Sequence, residues 1–553
     1  MNLTKSTIGS FLDYHAEHYP DLDAAVFYQP DRRFTWRELR EEVDRVAKGL
    51  LARHIGRGRH VAMWGTNVPE WLLVQLACAR IGAVLITINP EWKQQELEYA
   101  LRQSDTNLLI MTAGFSKKSG KKLFRYDYLD LISGLCPEPG DKQCRLNFPE
   151  LEGIVLTEGH APRGYIAWET FLQEGEQIAD VRLQETIEQV QPDDIAMIQY
   201  TSGTTGFPKG AMLSQYNVVN DARAAAEHMR LRLSDRVCGP VPYYHCFGSI
   251  LFNLGCLVTG ATMVVPADHF DSLRTLEAVE RERCTALYGV PTMFIAEIDE
   301  PERAKFDLSS LRTGIMAGAP VDRELFEAVT QQLGAREMTI AYGLTEASPV
   351  THQTEIHDPL DKRFATVGRP IDHTRARIVD PVSLRELGAG EVGEIWVKGF
   401  HVMAGYYQKP EETASSIVDG WLRTGDLGTV DADGYYRIVG RLKEMIIVGG
   451  HNVYPAEVEQ ALHSLLDDKV EIAQVVGVPH PKLQEVVGLV VKCHPGQTLD
   501  LEEVRARCEG KLEWPKIPRQ LRVVDDFSRY STVTGKIQKF KLSALLQQGL
   551  QPA

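Results

Sequence analysis

The sequence lacks any long, uninterrupted run of hydrophobic residues. No stretch approaches the roughly eighteen apolar residues of a transmembrane helix, because glycine, proline or arginine interrupts the longest candidates. The N-terminal residues contain no basic segment that leads into an apolar one, so we expect no signal peptide. These absences predict a protein that does not span a membrane.

An excess of positive charge is also missing. The 553 residues carry a formal net charge of −15, which would repel the phosphates of a nucleic acid, and we predict no nucleic-acid partner. One basic cluster could contact an anionic membrane surface or a partner, although such runs are usually solvated. We assign no function to this cluster, which comprises Lys117, Lys118, Lys121 and Lys122.

Paired cysteine motifs are absent as well. The nine cysteines are an odd number, and no two of them form a Cys-x-x-Cys pair. Reduced thiols explain this pattern better than disulfides or a zinc site, so we expect a cytoplasmic protein.

Hydrophobic periodicity indicates α/β structure in more than one domain, as the chain length also suggests. Leu39, Val43, Val46 and Leu50 recur at helical spacing and form one apolar stripe. Short apolar runs follow, separated by helical patterns, which predicts a largely parallel sheet with helices on its faces; they are 60–64, 83–88 and 108–111. The pattern is lost between residues 114 and 149, where we predict a polar surface excursion.

A glycine-rich segment, YTSGTTGFPKG at 200–210, is the main candidate for a ligand site. Glycines let backbone N–H groups turn toward an anion, hydroxyl groups add donors, and the lysine adds a positive charge. The segment follows the apolar run 195–198, as a loop at the carboxyl edge of a sheet would. A solvated turn is the alternative. A Walker loop is disfavoured, because Pro208 precedes Lys209 and Gly210 follows it.

Further short motifs follow this loop in a fixed order. They are PYYHCFG at 242–248, YGVPTM at 288–293, MAGAP at 316–320, YGLTE at 342–346, WLRTGDLG at 421–428, GRLKEMIIVGGHNVYPAE at 440–457 and TVTGKIQK at 532–539. The ordered set resembles that of the adenylate-forming enzymes, which include acyl-CoA synthetases, luciferase and peptide-synthetase adenylation domains. The resemblance is greatest to medium-chain fatty acyl-CoA synthetases.

The resemblance implies an α/β fold with a large N-terminal domain, built from doubly wound αβ subdomains and a distorted β-barrel, and a small, mobile C-terminal α+β domain. We expect the first domain to bind ATP and the acyl group over residues 1–440. The second, 441–553, would be a lid that carries the catalytic lysine. In the second region the sequence itself indicates helices at 456–465 and 501–512 and strands at 472–478, 486–492 and 521–524.

Site residues follow by matching motifs one by one. The resemblance implies that Glu346 holds Mg²⁺, that His245 lies at the mouth of the acyl pocket and that Lys536 is the catalytic lysine. Lys443 matches the hinge. The residues implied to bind ATP or CoA are Thr201, Ser202, Gly203, Thr204, Thr205, Gly206, Lys209, Gly318, Ala319, Pro320, Tyr342, Gly343, Thr345, Asp426, Arg441 and Gly450.

Each assignment has a simpler alternative in the residues alone. A lone histidine in an apolar stretch is usually a packed, hydrogen-bonded side chain, and an exposed lysine is usually solvated. In the resemblance Tyr342 stacks on adenine beside Gly318, Ala319 and Pro320, whereas Asp426 and Arg441 contact the ribose.

The activity implied is that of an ATP-dependent fatty acyl-CoA synthetase, which forms an acyl-AMP, releases pyrophosphate and transfers the acyl group to CoA. Two alternatives are a fatty acyl-AMP ligase that loads an acyl carrier protein and an aryl-CoA ligase. A non-catalytic nucleotide-binding protein is disfavoured, because Glu346, Asp426 and Lys536 are all present. Two residues depart from the acyl-CoA synthetase pattern: His451 replaces a Glu in the loop on the thiol side, and Tyr530 replaces a Pro.

Overall fold

The structure is a computed structural model that describes residues 1–28, 30–119, 122–201, 208–531 and 537–548. The chain divides into two compact units. The first comprises Met1–Arg375 and Val397–Leu422, and the second comprises Ala376–Trp396 and the chain from Arg423 onward. The expected boundary at residue 441, and the mobility of the smaller domain, stay predictions.

The first unit contains two large mixed sheets. In the nine-stranded sheet the order is Arg369–Pro370, Val350–Gln353, Glu337–Gly343, Thr313–Ala317, Ala286–Gly289, Arg236–Cys238, Thr262–Val265, Asp23–Phe27 and Arg32–Thr35. In the eight-stranded sheet it is Gly405–Tyr406, Lys209–Ser214, Ile195–Thr201, Val84–Ile88, His60–Trp64, Leu108–Met111, Gly153–Leu156 and Ile166–Ala167. The central strands run parallel and antiparallel strands lie toward the edges, so the predicted α/β class is confirmed.

Most helices of this unit bury at least one face, as Trp36–Ala52 and Pro69–Ile81 do. Their α-helical segments are Ile8–His18, Trp36–Ala52, Pro69–Ile81, Gln94–Gln103, Tyr128–Ser133, Lys142–Asn147, Trp168–Gly175, Asp180–Glu188, Gln215–His228, Gly255–Thr259, Ser272–Arg281, Pro291–Ile298, Arg323–Ala328, Leu360–Ala365 and Pro410–Ser416. Two π-helices, Phe247–Leu254 and Val329–Leu333, interrupt the regular pattern. No helix in the described ranges is long and apolar enough to cross a bilayer.

The helix Trp36–Ala52 shows how the sequence encodes one of these elements. Thr35 caps it, and Glu38 completes a capping box by accepting from the Thr35 backbone. The four residues of the predicted apolar stripe are all fully buried. The helix predicted from this stripe is therefore present.

The second unit is a smaller α+β assembly. It holds most or all of the strands Arg375–Val379, Gly393–Lys398, Trp421–Val430, Tyr436–Arg441, Ile446–Val448, His451–Val453, Val470–His480, Gln484–Cys493 and Gln520–Val523. Its helices are Pro455–Leu466, Leu501–Cys508 and Lys539–Gln548. All five elements predicted between 456 and 524 are present, with small shifts of their ends.

The segment 114–149 corrects the sequence interpretation. It is not a polar excursion, because a hairpin of Gly114–Ser119 and Lys122–Asp127 is followed by two short helices. Tyr128, Ile132 and Phe148 are buried in a core cluster against Trp64. In the same cluster Cys136 and Cys144 form a disulfide, so the expectation that all nine cysteines are reduced was wrong. The other seven are free.

Candidate active site

The two strands beside the glycine-rich loop hold its ends together. Ile195–Thr201 pairs antiparallel with Lys209–Ser214, and Thr201 lies opposite Lys209. The Thr201 hydroxyl also donates to the Lys209 carbonyl at 3.4 Å. The strand predicted before the loop is therefore present. Ser202, Gly203, Thr204, Thr205 and Gly206 lie outside the described residues, and their contacts with phosphate stay a prediction.

Lys209 and Glu346 meet around the side chain of Tyr406. The Tyr406 hydroxyl donates to Glu346 Oε1 at 2.7 Å. On the same residue, the Lys209 ammonium lies 4.9 Å from the ring centroid, within cation–π distance. The structure thus places the loop lysine and the carboxylate expected to bind Mg²⁺ in one cluster. Sequence reasoning missed Tyr406, because a Gly-Tyr pair near a strand gives no distinguishing signal.

The residues expected at the adenine lie at one edge of the nine-stranded sheet. Thr313–Ala317 and Glu337–Gly343 are parallel neighbours, with Ala317 opposite Ala341. Their carboxyl ends therefore present two segments side by side, as at ligand-binding edges of open α/β sheets. One contains Gly318, with φ +87°, followed by the exposed Ala319 and Pro320. The other contains the half-buried Tyr342 and exposed Gly343.

A hydrogen-bonded turn holds His245 in place. Asn67 donates to the Val241 carbonyl and accepts from the Tyr243 amide, each at 2.9 Å. The Phe247 amide donates to His245 Nδ1 at 3.1 Å, so this ring nitrogen is a hydrogen-bond acceptor. His245 is therefore a hydrogen-bonded histidine, as the simpler interpretation of the sequence expected. Its role at the mouth of the acyl pocket stays a prediction.

Cys246 connects His245 with the turn that carries Glu346. Its sulfur lies 3.5 Å from His245 Nδ1 and 3.6 Å from the Thr345 hydroxyl. Burial raises the pKa of the Cys246 thiol to about 12, so it is protonated at neutral pH. The thiol therefore packs between the two predicted site residues as a neutral group.

Asp426 and Arg441 come together in the second unit, as neighbours on paired strands. The Arg441 Nε lies 3.1 Å from Asp426 Oδ1, and the Asp426 side chain is only 7% exposed whereas that of Arg441 is 39% exposed. A carboxylate held in this way can accept hydrogen bonds from a pair of hydroxyls, as the predicted ribose contact requires.

Two further predicted residues, Lys443 and Gly450, lie in the second unit. Lys443 is exposed on the short 3-10 helix Leu442–Glu444. Gly449 and Gly450, with φ of +58° and +86°, form the two-residue loop between Ile446–Val448 and His451–Val453. Positive φ angles at both positions favour glycine, which is consistent with the Gly-Gly pair. Lys536 lies outside the described residues.

Two buried histidines, His352 beside Tyr342 and His401, escaped the sequence analysis. The His352 ring centroid is 5.8 Å from that of Tyr342. Burial, with a smaller contribution from His401, lowers the pKa of His352 to about 3. Burial alone lowers the pKa of His401 to about 4. Isolated histidines inside strand-like sequence carry no periodic signal that distinguishes them.

These histidines predict a loss of stability in acid. Both are neutral in the folded protein, but near pH 6.5 they begin to bind protons in the unfolded chain. The stabilisation is complete above about pH 6.5 and is lost as pH falls toward about 4 for His401 and about 3 for His352, by up to about 1.4 kcal/mol per pH unit for each histidine. Denaturant unfolding at several pH values measures this slope. His401→Leu should reduce the slope of unfolding free energy against pH by the contribution of one proton, whereas the exposed control His160→Leu should leave it unchanged. Equal slopes for His401→Leu and the wild type would contradict the assignment.

Together these features define an α/β nucleotide-binding enzyme with a cationic loop, a nearby carboxylate and an adjacent histidine. Comparison with protein families identifies it further. Residues 12–407 match the AMP-binding enzyme family, and 457–536 match the AMP-binding enzyme C-terminal domain. The chain belongs to the AMP-binding enzyme family, and the predicted adenylate-forming superfamily is confirmed.

Relatives narrow the class. The chain is 43% identical over 549 residues to YngI of Bacillus subtilis (strain 168), itself provisionally named an acyl-CoA synthetase; the match covers 98% of this chain and 97% of YngI. It is 39% identical to the mitochondrial medium-chain acyl-CoA ligase ACSF2 of Danio rerio, over 98% of this chain and 88% of that protein. The anthranilate CoA ligase AuaEII, solved with anthranoyl-AMP, has a TM-score of 0.83 at 25% identity, covering 99% of this chain and 98% of AuaEII. These relatives confirm the prediction of an AMP-forming acyl-CoA synthetase as the class of enzyme.

Proposed function

We propose that this acyl-CoA synthetase activates a medium-chain fatty acid with ATP and Mg²⁺ and transfers the acyl group to CoA. The substrate class rests on two supports. ACSF2 is named a medium-chain ligase, and the sequence from Val241 to Cys256 contains no Asp or Glu that could pair with an amino group. An aliphatic tail is therefore favoured over an α-amino acid.

The observation that carries this proposal is the double contact of the turn Thr345–Ala347. On one side Thr345 contacts Cys246, which contacts His245. On the other side Glu346 contacts Tyr406, whose ring lies beside Lys209. Two adjacent residues thus join the predicted acyl side of the site to its predicted phosphate side. Acyl adenylation requires the acyl and phosphate sides of the site to be adjacent, because a carboxylate must reach the α-phosphorus.

The first step attaches AMP to one oxygen of the carboxylate as the activating group. The carboxylate oxygen forms a bond to the α-phosphorus of ATP, and the bond to pyrophosphate breaks. Two anions meet, so catalysis depends on orientation and charge neutralisation. Lys209 supplies positive charge beside the loop, and the resemblance gives Lys536 the same task between carboxylate and phosphate. In the second step the CoA thiol bonds to the acyl carbon and AMP leaves.

The residues present fit a Mg²⁺ ion. This cation takes oxygen ligands, with one or two protein carboxylates and the rest from phosphate and water. Glu346 offers such a carboxylate next to the loop lysine. When bound, the ion neutralises charge on the phosphates, and Glu346 is the residue we propose to hold it.

A panel of acids tests the proposal. We expect straight-chain acids to release pyrophosphate and yield a CoA thioester, with kcat/KM rising about fourfold for each added methylene until the pocket is full. Benzoate and α-amino acids serve as comparison substrates, and AMP and thioester are followed separately. A maximum with aryl acids would favour the aryl-CoA ligase. Release of pyrophosphate with no CoA thioester, together with acylation of a carrier protein, would favour the carrier-loading alternative. The departure from the family pattern at His451, in the loop on the thiol side, is the reason to test this alternative.

A cytoplasmic location is also a proposal. The many free, buried cysteines support it. The disulfide between Cys136 and Cys144 argues in the other direction, because cytosolic proteins rarely keep one.

A further inference from the structure

Tyr406 lies where three separate parts of the first unit meet. Its strand, Gly405–Tyr406, pairs antiparallel with Lys209–Ser214, so that Ala211 is opposite Tyr406. Two backbone hydrogen bonds flank this pair, from Ala404 to Met212 at 2.9 Å and from Tyr407 to Gly210 at 2.8 Å. The backbone at Tyr406 is therefore fixed to the strand that begins at Lys209.

The helix Pro410–Ser416 forms a hydrogen bond with the backbone of Tyr406. The Tyr406 amide donates to the Thr413 hydroxyl at 2.9 Å. This close approach needs Gly405, because a Cβ there would lie 2.9 Å from Thr413 Cγ2, and its φ of +143° disfavours other residues. Tyr406 as a whole is 7% exposed, so its position is set by packing on most sides.

Glu346 is held twice by this segment. Its carbonyl accepts from the Met403 amide at 2.9 Å, and its carboxylate accepts from the Tyr406 hydroxyl at 2.7 Å. The neighbouring Ser348 hydroxyl donates to the His401 carbonyl at 2.7 Å. Residues 401–406 therefore restrain both the backbone of the Glu346 turn and the direction of its carboxylate.

The geometry points to Tyr406 as the positioning residue that sets the place of the Mg²⁺-binding carboxylate relative to the phosphate-loop lysine. The phenol occupies one oxygen of Glu346 and leaves the other oxygen of the same carboxylate as a metal ligand. The ring face attracts the Lys209 ammonium. One side chain thereby fixes a cation and an anion that lie 137 residues apart in sequence, from 209 to 346. The inference rests on the proposed function, since it assigns Mg²⁺ to Glu346.

Three variants test this role. Tyr406→Phe keeps the ring beside Lys209 and removes the hydrogen bond to Glu346, whereas Tyr406→Leu removes both. Tyr407→Phe is the matched control. It lies on the same segment and loses one phenol hydrogen bond, which its hydroxyl donates to Asp105 Oδ2 at 3.0 Å rather than to Glu346. Circular dichroism and thermal melting confirm that each variant is folded.

The main readout is ATP binding at a series of Mg²⁺ concentrations, measured by calorimetry, with Mn²⁺ and electron paramagnetic resonance as a second probe of the metal. Tyr406→Phe should raise the Mg²⁺ concentration for half-maximal binding about tenfold, as expected for one hydrogen bond to a charged group. Tyr406→Leu should add a further loss that persists at saturating Mg²⁺. Tyr407→Phe should match the wild type.

A double-mutant cycle identifies the route of the effect. If Tyr406 acts through Glu346, the tyrosine substitution should not change the Mg²⁺ dependence further in a Glu346→Gln background. Additive effects, or an unchanged Mg²⁺ dependence in Tyr406→Phe, would overturn the inference. These titrations need no acid substrate, so failure of every acid in the panel would refute the proposed activity without deciding the role of Tyr406.

Discussion

Replacing Glu346 with glutamine should slow acyl-adenylate formation by about 10² to 10³-fold. The substitution keeps the shape of the side chain and an acceptor for the Tyr406 hydroxyl, which lies 2.7 Å from Oε1 in the native protein. Only the negative charge is lost. Loss of one preorganised electrostatic group in a transition state costs about this much. Single-turnover release of pyrophosphate, measured at saturating acid and ATP, gives the rate directly.

Glu411→Gln is the matched control for this substitution. Glu411 is an exposed carboxylate on the helix Pro410–Ser416, which follows Tyr406 in the chain. We expect this variant to react like the wild type, and Glu346→Gln also to need more Mg²⁺ for its residual rate. Near-normal adenylation by Glu346→Gln over the whole Mg²⁺ range would remove Glu346 from the metal site.

Periodic segments were the part of the fold that the sequence predicted best. The stripe on Trp36–Ala52 and the elements of the second unit were found because burial on one face leaves a regular pattern over many residues. Their ends shifted by a few residues, as in the helix Leu501–Cys508, which was expected to reach 512. End positions depend on local caps and tertiary contacts, to which periodicity is insensitive.

The segment 114–149 was the part of the fold that the sequence predicted least well. Its two helices have six residues each, too few for a helical pattern, and charged and turn-forming residues interrupt its apolar ones. The buried Tyr128 stacks on Trp64 with ring centroids 3.8 Å apart, a contact between distant parts of the chain. Cysteine spacing likewise could not reveal that Cys136 and Cys144 fold back on one another.

Motifs located the candidate site along the chain but not its internal contacts. Lys209, Thr345, Glu346 and His245 were each found by matching, and the structure places them in connected contacts. Tyr406 joins them only because its strand pairs with Lys209–Ser214, a long-range pairing that no local signal encodes. The sequence therefore could not predict which residues far apart in the chain contact one another.

Lys536→Ala should abolish adenylation while leaving thioester formation from a preformed acyl-AMP close to the wild-type rate. The loss expected in the first step is about a thousandfold or more, because the joining of two anions then lacks a cation in the position where charge develops. In the second step a neutral thioester forms and AMP leaves, so the resemblance assigns that lysine no part in it. ATP should still bind, through Lys209 and the proposed Glu346 site.

The two half-reactions are measured separately, as pyrophosphate release from acid and ATP and as thioester formation from synthetic acyl-AMP and CoA. Lys541→Ala is the control, since this exposed lysine lies on the helix Lys539–Gln548, which follows Lys536 in the chain, and both rates should be unchanged. Equal losses in both half-reactions of Lys536→Ala would indicate a general defect of the second unit. Unimpaired adenylation would show that the cation between carboxylate and phosphate comes from another residue, because electrostatic neutralisation of the two anions cannot be dispensed with.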